Sequence, residues 1–390
     1  MAIYLDHAAT TPLRPQVIEG YLAQLQVLGN PSSVHSQGQK ARQVVEDARD
    51  QVAKAVDCHR SEVLFTSGGT EGDNLAIKGL YLDAVKRDPQ RKVVLTAGTE
   101  HHAGIDPVEW LEQSEGAQVV WLPVDEHGVV DLVTLSEYLD EHGRSVALIS
   151  LMWVNNETGL ITPIAEITRL AAKHGVPVHS DAVAAFGHVP VSFNQSGLAT
   201  MAISGHKFGA PVGTGALIVA RDAKLAITSH GGGQERGIRS GTLSAPLALA
   251  LGASAALAVA ELEQVSGRLE VLAQKLKNSI VGIAPDAIFT RGEHDGFAGI
   301  VHFTFPGCSG DSLLFLLDSA GVSVSTGSAC RAGVAQASHV LIAMGRTEDE
   351  ARGSLRISLG YTTTEEDVDA FIAAFPDAYA GAKKAGLPSK

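Results

Sequence analysis

Cysteine is scarce: the 390 residues hold three, Cys58, Cys308 and Cys330, each standing alone. That excludes a disulfide framework and a cysteine-rich metal site. Positive charge is also short, with 30 Lys and Arg against 43 Asp and Glu and a formal net charge of −13. Nucleic acid is therefore not expected as a partner, because phosphate backbones are held by basic surfaces. No apolar run approaches the ~20 residues of a membrane span. The opening MAIYLDHAATTP has neither the basic start nor the apolar core of a secretory signal. There is no internal repeat and no low-complexity tract, only a polar KKAGLPSK tail. These absences lead to the expectation of a cytoplasmic globular protein with no membrane contact.

What is present is a long alternation of short apolar runs and amphipathic stretches. EVLFT (62–66), KVVLTA (92–97), AQVVWL (117–122), VALISLM (146–152), VPVHSD (176–181) and ATMAIS (199–204) read as buried strands. TEGDNLAIKGLYLDAVKR (70–87) and PIAEITRLAAKHG (163–175) read as helices between them. Val-, Ile- and Leu-rich strands separated by helices predict an α/β fold with a mostly parallel sheet flanked by helices. GALIVA (215–220) follows its predecessor closely enough to be an antiparallel member. After HGGGQERGIRSGT (230–242) the texture changes to one Ala/Leu-rich helix over roughly 243–281, then strands GIVHFTF (299–305) and LRISLG (355–360). This predicts a large domain over 15–255 and a smaller α+β C-terminal domain over 256–390, joined by the N-terminal segment 1–14.

Six short stretches carry chemistry. In AISGHKFGAPVGTG, Lys207 sits among small residues with room for something bulky to dock on it, or it is simply a lysine in a turn. FTSGGTEGDN ends a strand and starts a helix, so free N–H groups at Gly69 and Thr70 make an anion site; the plainer reading is a Thr-capped helix. It matches neither the Walker pattern nor G-x-G-x-x-G. VHSDA puts Asp181 at the C-terminal end of a strand, where open α/β sheets bind ligands; the plainer reading is a helix N-cap. TEHHAG offers His101 and His102, whose side chains diverge, so that stacking or acid/base work suits them better than metal; no Cys/His cluster completes a shell. STGSACRAG sets Cys330 among small polar residues, as a moving nucleophile needs, whereas Cys58 and Cys308 read as inert. Arg356, inside the strand pattern GSLRISLG, either pairs with a neighbouring acid or forks onto a substrate carboxylate. A lysine for a Schiff base, an aspartate for a pyridinium nitrogen, a ring to stack and a helix N-terminus for a phosphate together specify pyridoxal 5′-phosphate.

Over nearly the whole chain the sequence resembles the cysteine desulfurases, of the class V aminotransferase-like group of fold type I pyridoxal-phosphate enzymes. YLDHAATTP, GNPSSVH, FTSGGTEGDNLAIKG, TEHHA, VNNETG, HSDA, SGHKFGAP, GGGQERGIRSGT, STGSAC and SLRISLG occur in family order. The resemblance implies that Lys207 bonds to the cofactor, Asp181 pairs with its ring nitrogen, and His101 stacks on the ring and assists proton transfer. It implies that Gly69, Thr70, Ser204 and His206 hold the phosphate, joined by Thr242 from the partner of a homodimer. It implies that Asn156 and Arg356 bind L-cysteine, and that Cys330 takes its sulfur as a persulfide and passes it to an iron–sulfur scaffold or another acceptor protein, leaving L-alanine. No metal site follows, though Cys330 sharing a cluster with a scaffold stays open. A selenocysteine lyase, an aminotransferase or a kynureninase-like hydrolase of the same class is the alternative. One departure stands out: Ala184 occupies the position where the family usually has a glutamine directed at the cofactor's phenolic oxygen.

Overall fold

The structure, a computed structural model, describes residues 3–327 and 337–386. In chain order the strands are β1 (Ile3–Tyr4), β2 (Val63–Thr66), β3 (Val93–Ala97), β4 (Gln118–Leu122), β5 (Val146–Ser150), β6 (Val178–Asp181), β7 (Thr200–Ser204), β8 (Gly215–Val219), β9 (Ile288–Phe289), β10 (Ile300–Thr304), β11 (Val322–Ser323) and β12 (Ser354–Ser358). β2 to β8 build a seven-stranded sheet in the order β2-β8-β7-β6-β5-β3-β4. Neighbours from β7 to β4 are parallel, and β8 is antiparallel to both β7 and β2. Parallel neighbours need long crossovers, and these are helical: α1 (Pro15–Leu25) and α2 (Ser36–Ala55) precede the sheet, and α3 (Gly69–Arg87) and α4 (His102–Glu115) link its first strands. Every residue of β5, β6 and β7 is buried, which is why β5 and β7 carry mostly apolar runs, while β6 buries the polar His179, Ser180 and Asp181.

Two expectations need correction. AQVVWL was expected as a buried strand, but β4 is the sheet edge: Gln118 and Trp121 are exposed and only Leu122 is buried. Its composition matches the central strands, but its place in the sheet is set by non-local pairing. The single helix over 243–281 is two helices, Ala245–Ala260 and Leu262–Ile283, bent by 64° at Glu261. Glu261 makes an ion pair with Arg14, a tertiary contact that helical periodicity does not reveal.

The remaining strands form a sheet of order β12-β10-β9, antiparallel throughout, and a parallel pair of β1 with β11. Asp6 bridges to Ser358, so the first residues run beside C-terminal elements. Residue 255 falls inside the helix Ala245–Ala260. Among the described residues no single helix is long and apolar enough to cross a membrane.

Candidate active site

β2, β3, β5, β6 and β7 all run the same way, so their C-terminal ends share one edge of the sheet. The loops leaving that edge surround a cavity of about 550 Å³. Gly69, Thr70, His101, Asn156, Asp181, Ser204, His206, Lys207 and Arg356 all line it, as does Ala184. Residues spread over nearly 290 positions of chain thus converge, as open α/β sheets allow at their carboxyl edge.

Lys207 ends a single 3-10 turn, Gly205–Lys207, that leaves β7. The turn is fastened from several sides. Gly205 N–H donates to Thr214 O at 2.8 Å, Thr11 N–H donates to His206 O at 2.9 Å, and His188 Nε2 donates to Lys207 O at 3.0 Å. The next residue, Phe208, is buried and meets Phe186 edge to face at 4.9 Å. Burying such a ring is worth ~2 kcal/mol or more, enough to peg the lysine's backbone. The Lys207 ammonium donates to the carbonyls of Ala8 and Ala9, the latter at 3.0 Å. Burial, then the nearby Arg356 charge, lowers its pKa to about 8. An amine so placed deprotonates far more readily than a surface lysine, as attack on a carbonyl carbon requires.

Asp181 closes β6, and no helix follows it, so it is not an N-cap. Its Oδ1 accepts the Val183 N–H at 2.8 Å. Burial, reinforced by Asp73, raises its pKa to about 6, so it favours a cationic partner in the cavity. His101 is the N-cap of α4: its Nδ1 accepts the Ala103 N–H at 3.0 Å, which leaves the neutral ring's proton on Nε2. Burial lowers its pKa. His102, beside it, turns away to Asp106 and tilts against His339.

α3 begins at Gly69 with Gly68 as its N-cap and no side-chain cap. Thr70 therefore does not cap the helix, and the N–H groups of its first turn remain for another acceptor. Gly68 has φ 155°, and a Cβ on Gly69 would lie 2.5 Å from Val183 Cγ2, so only glycine brings the turn this close to Asp181's loop. Ser204 and His206 stand across from it along the cavity wall. Burial, then Lys207, lowers the His206 pKa to about 4, so that ring is a neutral hydrogen-bonding group. The cradle suits a phosphate-sized anion.

Arg356 lies in β12 with 6% of its side chain exposed. Nη1 donates to Asn156 O at 2.8 Å and Nη2 to Asp6 Oδ1 at 2.9 Å. Among the described residues, its Nε and the Asn156 Oδ1 are buried without a partner. Two unsatisfied polar atoms on one wall, one a donor and one an acceptor, are what an amino acid's carboxylate and ammonium would satisfy.

Two expected residues are not placed in this cavity. Thr242 is exposed and does not line it. Its segment is tied down by Arg49 with Glu235 and by Arg239 with Glu71. Cys330 lies outside the described residues. Of the other cysteines, Cys308 is buried, and burial pushes the Cys58 thiol up to about 12. Neither is a thiolate at neutral pH, and neither lines the cavity. The site also holds residues that the motifs did not single out: Asp73, Glu157, Ser325, His339 and the N-terminal Ala8 and Ala9. Only the last pair had a readable mark, the run of small residues in HAATTP after a short strand.

A lysine on a strand-end turn, a carboxylate closing the neighbouring strand and an uncapped helix start define the class of protein, and sequence comparison agrees. The chain belongs to the class-V aminotransferase family, matched over residues 3–371. It is 49% identical over 386 residues to the "IscS-like cysteine desulfurase" of Mycobacterium tuberculosis, covering 98% of each chain. Among solved structures it is similar to a "NifS-like protein" (TM-score 0.89, 33% identity, 97% of this chain and 100% of that one). It is also similar to "SspA in complex with cysteine" (TM-score 0.78, 32% identity, 91% and 98%).

Proposed function

We infer that this chain is a cysteine desulfurase that binds pyridoxal 5′-phosphate and converts L-cysteine to L-alanine, with Cys330 as the sulfur acceptor. The observation that carries the reading is the Lys207 amine, brought near neutrality's reach and aimed into a cavity that also holds Asp181 and an uncapped helix start. The relatives named cysteine desulfurase, and the similar structure titled as a complex with cysteine, support the activity and substrate.

The residues fit the cofactor. Gly69, Thr70, Ser204 and His206 would hold its phosphate, Asp181 its ring nitrogen, His101 a ring face, and Lys207 its aldehyde carbon. Pyridoxal 5′-phosphate supplies an aldehyde that bonds amines and a protonated ring that draws electrons from the substrate's Cα. Arg356 binds the carboxylate of L-cysteine through the guanidinium edge that carries the free Nε, and Asn156 Oδ1 accepts from the substrate's polar head. The Lys207 amine takes the Cα proton and returns one to the product carbon. His101, with its proton on Nε2, would stack on the ring and assist that proton transfer. Cys330 Sγ forms the new S–S bond as the substrate C–S bond breaks, the carbon keeping the electron pair. The balance is L-cysteine plus a Cys330 thiol giving L-alanine plus a Cys330 persulfide. The persulfide then passes to an acceptor protein, an iron–sulfur scaffold or another thiol carrier. A homodimer in which Thr242 reaches the neighbour's phosphate accounts for that residue's exposure, and domains over 15–255 and 256–390, joined by 1–14, would meet at the cavity.

The test is L-cysteine turnover with a reductant, read as alanine and sulfide together. The parent chain releases them in equal amounts and Cys330→Ser releases neither, while Cys58→Ser and Cys308→Ser retain most of the rate. Alanine and sulfide from Cys330→Ser at the parent rate would put a lyase or hydrolase in place of this reading.

A further inference from the structure

Behind Asp181 lies a second acid that the reaction above does not use. Asp73 is in α3, one turn beyond Gly69 and Thr70, and reaches the cavity's rear wall. β6 alternates its side chains, so His179 and Asp181 point to the same face, and that face meets α3. Asp73 Oδ1 is 3.1 Å from His179 Nε2, and both side chains are 1% exposed. His179 Nδ1 is 2.9 Å from Thr200 Oγ1 on β7. Asp73 Oδ2 is buried with no partner.

This geometry discriminates between protonation states. An ionised Asp73 would leave a charged oxygen dry and undonated, which costs several kcal/mol. A neutral Asp73 donates its one proton from Oδ1 to Nε2, leaves only a carbonyl-like oxygen bare, and lets Nδ1–H donate to Thr200 Oγ1. Every ring nitrogen then has one matched partner. We propose that Asp73 is a positioning residue held as a neutral acid on His179, so that Asp181 carries the rear wall's negative charge alone, where the cofactor's ring nitrogen binds.

The groups facing Asp181 agree. Asp73 is pushed up to about 8 by burial, and His179 down to about 4 by burial, so neither is charged at neutral pH. Glu100, buried close by, is pushed toward its neutral form by burial, with its Oε1 accepting the Met152 N–H. The His101 ring and the Val183 N–H favour Asp181's charge, and Lys207, whose own pKa Asp181 raises, is the cation nearby. Two adjacent dry carboxylates do not both ionise cheaply, so the neutrality of Asp73 frees Asp181 to ionise.

The consequence for the ring nitrogen rests on the cofactor reading above, so the test has two parts. The first uses cofactor-free protein: an infrared difference spectrum, parent minus Asp73→Asn, at pH 7. It should show a protonated-carboxyl stretch that fades as pH passes about 8 and shifts in His179→Asn. Carboxylate bands alone would overturn the neutral acid. The second titrates both chains with pyridoxal 5′-phosphate and with its analogue bearing carbon in place of the ring nitrogen. Phosphate and aldehyde titrations cancel in the ratio of the two affinities. Asp73→Asn, a permanently neutral isostere, should keep the parent's preference at pH 7 within about threefold. Between pH 7 and 9 the parent's preference should shift by about threefold or more as Asp73 ionises, and that of Asp73→Asn should stay level. Preferences that follow the same pH course in both chains would overturn the link to Asp181. Equal binding of the two probes by the parent would overturn the reading of Asp181 itself, with Asp73 judged by the infrared band alone.

Discussion

The segment that carries Thr242 is held by a buried ion pair whose removal has a calculable cost. Arg49 Nη1 and Nη2 donate to Glu235 Oε2 and Oε1 at 2.9 and 2.8 Å, with side chains 11% and 2% exposed. Nη1 also donates to Val63 O at 2.7 Å, the guanidinium lies 4.8 Å from the Phe65 ring centre, and Glu235 Oε2 accepts the Phe65 N–H at 2.8 Å. Arg49→Met strands a carboxylate, and Glu235→Leu leaves the guanidinium with only the partly exposed Glu46, 3.3 Å from Nε. Each should cost ~3–5 kcal/mol, because a buried charge loses its two-pronged partner. The double variant strands no charge; it orphans the Phe65 N–H and the Val63 carbonyl, at ~1–3 kcal/mol. The two single costs sum to ~6–10 kcal/mol, so the coupling should exceed ~3 kcal/mol. Thermal unfolding of the four chains, followed by circular dichroism, reads this out. Each single variant should melt ~3–10 °C below the parent, with the double above both, at ~1–2 °C per kcal/mol for a chain of this size. Losses that add within ~0.5 kcal/mol would show that the pair carries no special coupling and refute the argument.

Three further outcomes follow from the site. Lys207 has its pKa depressed to about 8, so below that pH the cofactor-free chain should capture pyridoxal 5′-phosphate about tenfold faster per pH unit and level off above it. The same depression costs folding stability fully below about 8 and is relieved as pH rises toward the unfolded lysine's 10.5; borohydride labelling of another lysine would end the assignment. Arg356→Lys keeps the charge but loses the fork, so the KM for L-cysteine should rise about tenfold or more with kcat less affected, whereas an unchanged KM would place the carboxylate elsewhere. Ala184→Gln adds an amide donor to the cavity wall, worth ~1 kcal/mol, and should move the bound cofactor's visible absorption or its pH titration; no change in either would mean that the position does not reach the ring.

The parts of this fold that were legible are those where a local pattern and a global role coincide. β5 and β7 are central, so burial on both faces writes itself into VALIS and TMAIS, whereas the polar VHSD of β6 is buried by its place between them. QVVWL carries the same residue types but sits at an edge, a property of the pairing order and not of the segment. The break at Glu261 coincides with an ion pair to Arg14, almost 250 residues away. Lys207 and Gly69 were readable because docking a ligand near backbone demands small neighbours in sequence. Arg356 was readable because a charge inside a strand is unusual.

Asp73 had no such mark, and the reason bears on how the site works. An acid on a helix surface and an acid driven into a dry wall look alike in TEGDN; the difference is made by β6 placing His179 opposite it. The same holds for Glu157, read only as part of VNNETG, which is buried, accepts from Ser338 Oγ and has its pKa raised by burial. With Asp73 and Glu157 pushed toward neutrality by desolvation, and Glu100 behind the wall likewise, the acidic residues in and around the cavity outnumber its negative charges. Glu71, also on the wall, is paired with Arg239, and Asp6 lies behind the wall on Arg356, so Asp181 is left facing Lys207 and the opposite charges near the reacting carbon are close to balanced. In such a wall the Lys207 proton is held loosely because the surroundings are dry and Arg356 already supplies a cation, not because an acid is placed to take it. That is the condition under which one amine can release its proton, bond to a carbonyl carbon and later accept a proton from Cα at ordinary pH.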